Sequence, residues 1–126
     1  MIESKTMADH NEIGKRGETI AVEYLQGKGY SILEQNWHNH HEEIDIIVTK
    51  ENELVIVEVK CRKGTPLTEP YTAVNRSKQN LLIKAANAYI QQKNINMETR
   101  FDVVSITLGK ETNIEHIENA FYPRVR

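Results

Sequence analysis

Two apolar runs decide the fold of this chain: Glu43-Ile44-Asp45-Ile46-Ile47-Val48 and Leu54-Val55-Ile56-Val57-Glu58-Val59-Lys60. Both are rich in Ile and Val, and the polar stretch Lys50-Glu51-Asn52-Glu53 lies between them. This arrangement predicts a β-hairpin with a short loop, because β-branched residues favour strands and polar residues favour turns. If Thr49 pairs with Leu54 across the loop, the partners of all other residues in the hairpin follow.

The predicted register gives the hairpin one apolar face and one face that is charged at its open end. The apolar face pairs Ile44 with Val59, Ile46 with Val57 and Val48 with Val55. The other face pairs Thr49 with Leu54, Ile47 with Ile56, Asp45 with Glu58 and Glu43 with Lys60, since opposed residues share a face.

Three carboxylates and one ammonium group therefore meet at the open end of the hairpin. Like charges placed opposite each other destabilise a strand pair, and charge removed from water must be paired or must bind an ion. Asp45 and Glu58 beside Lys60 indicate a site for a hard divalent cation bound through oxygen ligands. The alternative is a solvated hairpin end with an ordinary surface pair between Glu43 and Lys60.

Length and composition indicate one soluble domain. The chain has 126 residues, of which 39% are hydrophobic and 27% charged, enough for one modest core. No apolar run approaches the roughly 20 residues that cross a bilayer, and the first residues lack the apolar core of a signal peptide. Cys61 is the single cysteine, which excludes an intrachain disulfide and favours a cytoplasmic location. The net charge of −2 excludes a generally basic nucleic-acid coat, so nucleic-acid binding would need a local basic patch.

Around the hairpin, hydrophobic periodicity predicts two helices and three further strands in one mixed α/β layer. The predicted elements are a helix from Glu12 to Gln26, a strand from Tyr30 to Trp37, a helix from Arg76 to Gln92, a strand from Arg100 to Leu108 and an edge strand from Asn113 to Glu118. The first strand is expected to run antiparallel to the first arm of the hairpin. The polar stretch from Cys61 to Asn75 is expected to be a long functional loop.

Each predicted helix carries one polar side chain beside its apolar stripe. Glu18 lies three and seven residues before two apolar positions of the first helix, so it either points toward the sheet or is solvated. Gln79 has the same spacing in the second helix, where it either forms hydrogen bonds at the edge of the core or belongs to the site.

The histidine cluster His38-Asn39-His40-His41 is interpreted as an exposed polar turn. Neutral imidazole is a common metal ligand, but no Cys or further His lies at the spacing of a zinc site. A zinc site is therefore the less favoured alternative.

The candidate residues suit phosphodiester hydrolysis. Asp45 and Glu58 can hold one Mg²⁺, with the main-chain carbonyl of Val59 within reach. Lys60 can orient or deprotonate a water molecule, or offset charge in the transition state. Six basic residues but only one acid, Glu69, lie between residues 60 and 84, either as a phosphate-binding surface or as solvated charge. These basic residues are Lys60, Arg62, Lys63, Arg76, Lys78 and Lys84.

The motifs of this chain resemble those of the bacterial YraN family, in the PD-(D/E)xK, or restriction-endonuclease-like, nuclease superfamily. Asp45, twelve intervening residues and Glu58-Val59-Lys60 resemble the bipartite signature of that superfamily. The wider match, from about residue 12 to residue 122, includes Gly14-Lys15-Arg16-Gly17-Glu18, Gly29-Tyr30, Asn36-Trp37, Ala73-Val74, Lys78-Gln79, Arg100-Phe101-Asp102-Val103-Val104 and His116-Ile117-Glu118-Asn119-Ala120-Phe121. The chain departs from the family pattern at Glu42, where the family usually has Gly. It also departs at His38, Asn39 and His40, where the family has basic residues.

The resemblance implies a single-domain restriction-endonuclease-like fold, with a mixed central β-sheet flanked by α-helices. It implies dependence on Mg²⁺ or Mn²⁺, similarity to archaeal Holliday-junction resolvases, and a homodimer. Carried over by position, Asp45, Glu58 and Glu18 are the metal ligands, Lys60 is the catalytic lysine and Gln79 is the glutamine of the following helix. Residues 1–11 are expected to be a flexible N-terminal segment and residues 12–126 one nuclease-like domain.

The expected function is that of a metal-dependent nuclease that hydrolyses phosphodiester bonds in DNA, including branched recombination or repair intermediates. DNA is favoured over RNA as the partner, and no membrane partner is expected. Two alternatives stay open: a non-catalytic nucleic-acid-binding module that keeps the nuclease fold, and a structural or protein-interaction domain.

Overall fold

One five-stranded sheet and two helices form the fold, and the computed structural model describes residues 7–65 and 67–123 of the chain. The elements in chain order are α1 (Met7–Gly27), β1 (Ser31–Asn39), β2 (Glu42–Lys50), β3 (Glu53–Lys63), α2 (Arg76–Lys93), β4 (Glu98–Leu108) and β5 (Asn113–Phe121). The strands lie in the order β1-β2-β3-β4-β5. β3 and β4 are parallel, as their connection through α2 requires, and all other neighbours are antiparallel. The predicted α/β class, consistent with a restriction-endonuclease-like fold, is confirmed.

The elements are longer than the sequence predicted at several ends. α1 begins at Met7 rather than Glu12, and β3 continues to Lys63, into the predicted loop, because it pairs with β4 along its whole length. β1 includes His38 and Asn39, so the predicted turn is confined to His40 and His41. Three parts of the predicted segments lie outside the described residues. They are residues 1–6 of the N-terminal segment, Pro66 of the loop and residues 124–126 of the domain. Neither helix in the described part of the chain is long and apolar enough to cross a membrane.

The hairpin of β2 and β3 has the predicted register over its apolar part. Thr49 pairs with Leu54, and the ladder continues through Val48–Val55 and Ile47–Ile56 to Ile46–Val57. Ile46, Val48, Val55 and Val57 pack in one core cluster with α1, whereas Ile47, Leu54 and Ile56 pack in a second cluster with α2. The sheet therefore buries both faces, one under each helix.

Beyond Ile46 the predicted pairing is wrong. Ile44 packs in the α2 cluster, whereas Val59 packs against the α1 cluster, so the two residues do not share the predicted apolar face. Strict alternation would place Ile44 and Ile46 on one face, which means that the backbone of β2 changes face at Asp45. The pairing of β2 with β3 ends at Ile46 and Val57. Beyond it, the Asp45 carboxylate accepts a hydrogen bond from the Val59 N–H at 2.8 Å.

α1 packs directly on the end of β3 that leads to this separation of the strands. Gly17 is buried there, and a Cβ on Gly17 would lie 2.5 Å from the Cβ of Cys61. Such a distance is too short for two carbon atoms, so only glycine allows this approach. The close packing brings Glu18, the next residue of α1, to the open end of the hairpin.

Candidate functional site

A cavity of about 460 Å³ lies where β2 and β3 separate. Its wall combines residues of α1, β2, β3 and the segment before α2, and the titratable ones are Glu18, Asp45, Lys60, Cys61, Arg62, Lys63 and Tyr71. Three of the residues predicted from the sequence, Glu18, Asp45 and Lys60, are thus brought together. Two others, Glu58 and Gln79, are not in this wall, although Glu58 contacts Asp45.

Asp45, in the cavity wall, forms a carboxylate pair with Glu58. Glu58 is only 5% exposed, and Asp45 is partly buried. Burial and the contact with Glu58 raise the pKa of Asp45 to about 7, although the Val59 N–H and the charge of Lys78 lower it. The pair therefore carries a proton near neutral pH, or needs a cation in its place.

Glu18 points toward the sheet, as one of its two predicted orientations required. Its carboxylate accepts a hydrogen bond from Asn36 Nδ2 at 2.9 Å. The pKa of Glu18 is raised above its ordinary value, mainly by burial. The hydrogen bond from Asn36 lowers this pKa, whereas the charges of Asp45 and Glu43 raise it. The three acids therefore interact electrostatically. Asn36 has a left-handed backbone with a φ of 51°, a conformation that Asn tolerates better than most residues.

The carboxylates fit a magnesium-type site built on two of them. No group of three or more His, Cys, Asp and Glu side chains among residues 7–65 and 67–123 is placed to hold a metal. Mg²⁺ is usually bound by one or two carboxylates and keeps several water ligands, so the residues that would hold it are Asp45 and Glu58. Glu18, which is bonded to Asn36, stays a predicted ligand.

The sequence profile of the uncharacterised protein family UPF0102 matches residues 17–106 of the chain. The chain belongs to this family. The UPF0102 protein FP2501 of Flavobacterium psychrophilum is 50% identical over 117 residues, covering 92% of this chain and 98% of the relative. UPF0102 proteins of Bacteroides thetaiotaomicron and Parabacteroides distasonis are 47% and 46% identical, covering 93% and 95% of this chain and 98% and 100% of the relatives. The matched region contains every predicted site residue. The match supports the predicted resemblance to the YraN family and says nothing of the nuclease superfamily.

Lys78 is the cation beside the carboxylate pair of this UPF0102 protein. The sequence pattern indicates it only as one of the six basic residues between residues 60 and 84. Its Nζ lies 3.7 Å from Glu58 Oε2. Lys78 is in the first turn of α2, where its N–H donates to the side chain of the N-cap residue Asn75 at 2.9 Å. The cap fixes the start of the helix and with it the position of the lysine.

Lys60 does not form the predicted ion pair with Glu43. Its Nζ lies 5.0 Å from the centre of the Tyr71 ring, and the Arg62 guanidinium lies 5.9 Å from the same ring. Glu43 is instead 3.8 Å from His38 Nε2. The strands separate before Glu43 and Lys60 could pair, which leaves Lys60 in the cavity wall.

Gln79 lies on the buried edge of α2 and supports the segment before the helix. Its Nε2 donates to the Val74 carbonyl at 2.8 Å, and its backbone N–H donates to the Asn75 carbonyl at 2.9 Å. This geometry matches the first of its two predicted roles, hydrogen bonding at the core edge. Its assignment to the catalytic set stays a prediction.

A second cluster of charged residues in the UPF0102 chain is a closed structural network. The buried Asp102 carboxylate accepts from Arg100 at 2.9 Å, from His116 Nε2 at 2.7 Å and from the Asn119 N–H at 3.1 Å. Burial alone would raise the pKa of Asp102, but these donors hold it below its ordinary value. His116 Nδ1 lies 3.0 Å from the Tyr24 hydroxyl, so the network joins α1, β4 and β5.

Proposed function

We propose that this UPF0102 protein is a metal-dependent nuclease of the PD-(D/E)xK superfamily that hydrolyses phosphodiester bonds in DNA. The observation that carries the proposal is the contact between the Glu58 carboxylate and the carboxylate of Asp45, which lines a cavity together with Lys60. Burial and the neighbouring Glu58 carboxylate raise the pKa of Asp45, so the charged form of Asp45 is unfavourable without a cation, and the contact supports a metal site.

The residues of the chain divide the work of such a site. Asp45 and Glu58 would hold Mg²⁺ or Mn²⁺, with Asp45 oriented by the Val59 N–H. The bound ion would supply Lewis-acid polarisation of the phosphate and a water molecule of lowered pKa. Lys78 balances the charge of Glu58 through their 3.7 Å contact. Lys60, in the cavity wall, binds the scissile phosphate and stabilises the charge that develops on it.

The test is cleavage of labelled DNA by the purified protein in Mg²⁺ or Mn²⁺, with linear, flapped and four-way substrates compared. Glu58→Gln and Asp45→Asn should abolish cleavage, whereas Glu115→Gln, a change at an exposed acid of β5, should leave it unchanged. Calorimetric titration of Mn²⁺ gives an independent readout, because each carboxylate variant should lose the heat of ion binding. Cleavage that persists unchanged in Glu58→Gln would overturn the assigned site. The predicted homodimer, branched substrates and cytoplasmic location stay predictions.

A non-catalytic nucleic-acid-binding module is the second candidate, and the position of Lys60 favours it. No ion pair joins Lys60 to a carboxylate within the described residues, and its Nζ lies on the Tyr71 ring instead. This function predicts binding that weakens steeply with salt and no cleavage with any divalent metal.

A further inference from the structure

Two exposed apolar side chains lie on the segment 67–75, which crosses beside the cavity. Leu67 is 92% exposed and Tyr71 is 49% exposed. Single exposed hydrophobic residues are common on protein surfaces. Tyr71, however, is part of the wall of the cavity that holds Asp45 and Lys60, and Leu67 lies four residues before it.

One hydrogen bond joins this segment to β3, another joins it to α2, and a third lies within the loop. The Leu67 N–H donates to the Thr65 hydroxyl at 3.2 Å, and the Arg62 guanidinium donates to the main-chain carbonyl of Glu69. At the other end, Gln79 Nε2 donates to the Val74 carbonyl at 2.8 Å. The exposure of Leu67 and Tyr71 is therefore a property of an anchored segment.

Three basic residues lie around Tyr71, in a cavity that also holds the acids Glu18 and Asp45. Lys60 and Arg62 both lie near its ring, and Lys63 lines the same cavity. An aromatic ring among cations is the combination by which proteins bind single-stranded nucleic acid, because bases stack on the ring and the cations bind the phosphates. In a continuous duplex the bases are stacked on one another, and exposing one costs a few kcal/mol.

We propose that the segment 67–75 makes this site selective for DNA with unpaired nucleotides beside the phosphate in the cavity. Tyr71 stacks on an unpaired base, Lys60, Arg62 and Lys63 bind the adjoining phosphates, and Leu67 packs against the next base. This inference rests on the proposed function and narrows its substrates to single strands, flaps and the unpaired positions of junctions.

The experiment measures binding in EDTA, so that cleavage does not interfere, by fluorescence anisotropy of labelled oligonucleotides. Single-stranded, flapped and blunt duplex DNA of equal length are titrated with the full chain. The wild-type protein should bind the first two more tightly than the duplex. Tyr71→Ala should weaken single-strand and flap binding about 5- to 150-fold, as expected for the loss of one stacked base, and should change duplex binding less than about twofold.

Matched variants separate stacking from other effects. Tyr71→Phe keeps the ring and should bind as the wild type does, which excludes a role of the hydroxyl group. Tyr122→Ala removes an aromatic side chain that is 65% exposed and lies outside the segment, and should change nothing. Leu67→Ala should weaken flap binding more than Leu81→Ala, a change at an exposed leucine of α2.

The outcomes distinguish this inference from the proposed function. If Tyr71→Ala binds single-stranded and duplex DNA with unchanged or equally weakened affinity, while the wild type cleaves DNA with Mg²⁺, selectivity by the segment is overturned and the nuclease stands. If the wild type neither binds nor cleaves any of the three substrates, both are overturned.

Discussion

Asp45→Asn should stabilise the metal-free protein at neutral and alkaline pH, although it removes a carboxylate of the candidate site. Burial and the contact with Glu58 raise the pKa of Asp45 from its ordinary value of 3.8 to about 7. The folded protein therefore binds a proton that the unfolded chain releases, and above pH 7 it must hold the charge at a cost. Asn is nearly isosteric and can still accept the Val59 N–H through its carbonyl oxygen.

The magnitude follows from the difference between the two pKa values. A shift from 3.8 to about 7 corresponds to about 4 kcal/mol at most, and screening at a partly exposed group reduces the expected gain to about 2 kcal/mol. Below about pH 4 the carboxyl group is protonated in both folded and unfolded chains, so Asn brings no electrostatic advantage there. The advantage grows as the pH rises from about 4 to about 7 and is constant above that range.

Urea unfolding in EDTA at pH 4, 6 and 8 measures the free energy of unfolding of both proteins. Glu43→Gln, at an exposed acid of the same strand, is the control and should change stability by less than about 0.5 kcal/mol. Added Mg²⁺ should stabilise the wild type and not Asp45→Asn, because only the wild type keeps both carboxylates. An Asn variant that is less stable than the wild type at pH 8 in EDTA would refute the reasoning, since the Asp45 charge would then be stabilising.

Three further substitutions test a close helix–strand contact, a buried charge network and a helix cap. Gly17→Ala should lower the free energy of unfolding by about 1 to 3 kcal/mol, because its Cβ would lie 2.5 Å from that of Cys61, and chemical denaturation measures the loss. Asp102→Asn should cost about 3 kcal/mol at pH 7, since it leaves buried donors without a charged acceptor. The pKa of Asp102 is lowered, so its contribution is present above about pH 3.8 and lost as the pH falls through the folded value, and unfolding at pH 7 and near pH 2 should show this. Asn75→Ala should cost about 1 kcal/mol and speed hydrogen exchange in the first turn of α2.

Each of these substitutions has a control in the same element or environment. Gly14→Ala has nothing within 4 Å of its added Cβ, so it should leave stability unchanged or raise it by up to about 1 kcal/mol. Glu115→Gln, at an exposed acid of β5, should change the free energy of unfolding by less than about 0.5 kcal/mol. Asn80→Ala, also exposed on α2, should not affect the helix cap. Equal losses in the paired variants would contradict the packing contacts described above.

The register of the hairpin could be predicted because two local features determine it. The side-chain alternation of the apolar runs specifies which residues share a face, and the short polar loop specifies which residue pairs first. The structure has this register from Thr49–Leu54 to Ile46–Val57. The same alternation, continued two residues further, predicted the face of Val59 correctly and the face of Ile44 wrongly.

The change of face at Asp45 could not be predicted because it depends on side chains rather than on periodicity. The Asp45 carboxylate takes the Val59 N–H that a β2 carbonyl would otherwise accept, and Asn36 on β1 adopts a left-handed backbone. Neither event changes the pattern of apolar residues along the chain. The one signal was chemical, since an Asp inside an apolar strand must find a donor for its buried oxygens.

The identity of the cation at the carboxylate pair is also a tertiary property. Extending the register placed Lys60 beside Asp45 and Glu58, but the separated strands leave Lys60 on the Tyr71 ring, and Lys78 reaches Glu58 from α2. The charge balance of the pair therefore depends on where α2 begins, and Asn75 fixes that point.

The two lysines therefore have different partners, since Lys78 and not Lys60 lies beside the carboxylate pair. Lys78 lies 3.7 Å from Glu58 and balances the charge of that buried carboxylate. Lys60 faces an aromatic ring, a weaker partner than a carboxylate, so a phosphate in the cavity can draw it away at little cost. The strand separation thus keeps the motif lysine available to a substrate, whereas the pairing predicted from the hairpin register would have bound it to Glu43. The segment 67–75 carries Tyr71 beside Lys60, and its last residue, Asn75, caps the helix that positions Lys78 beside Glu58.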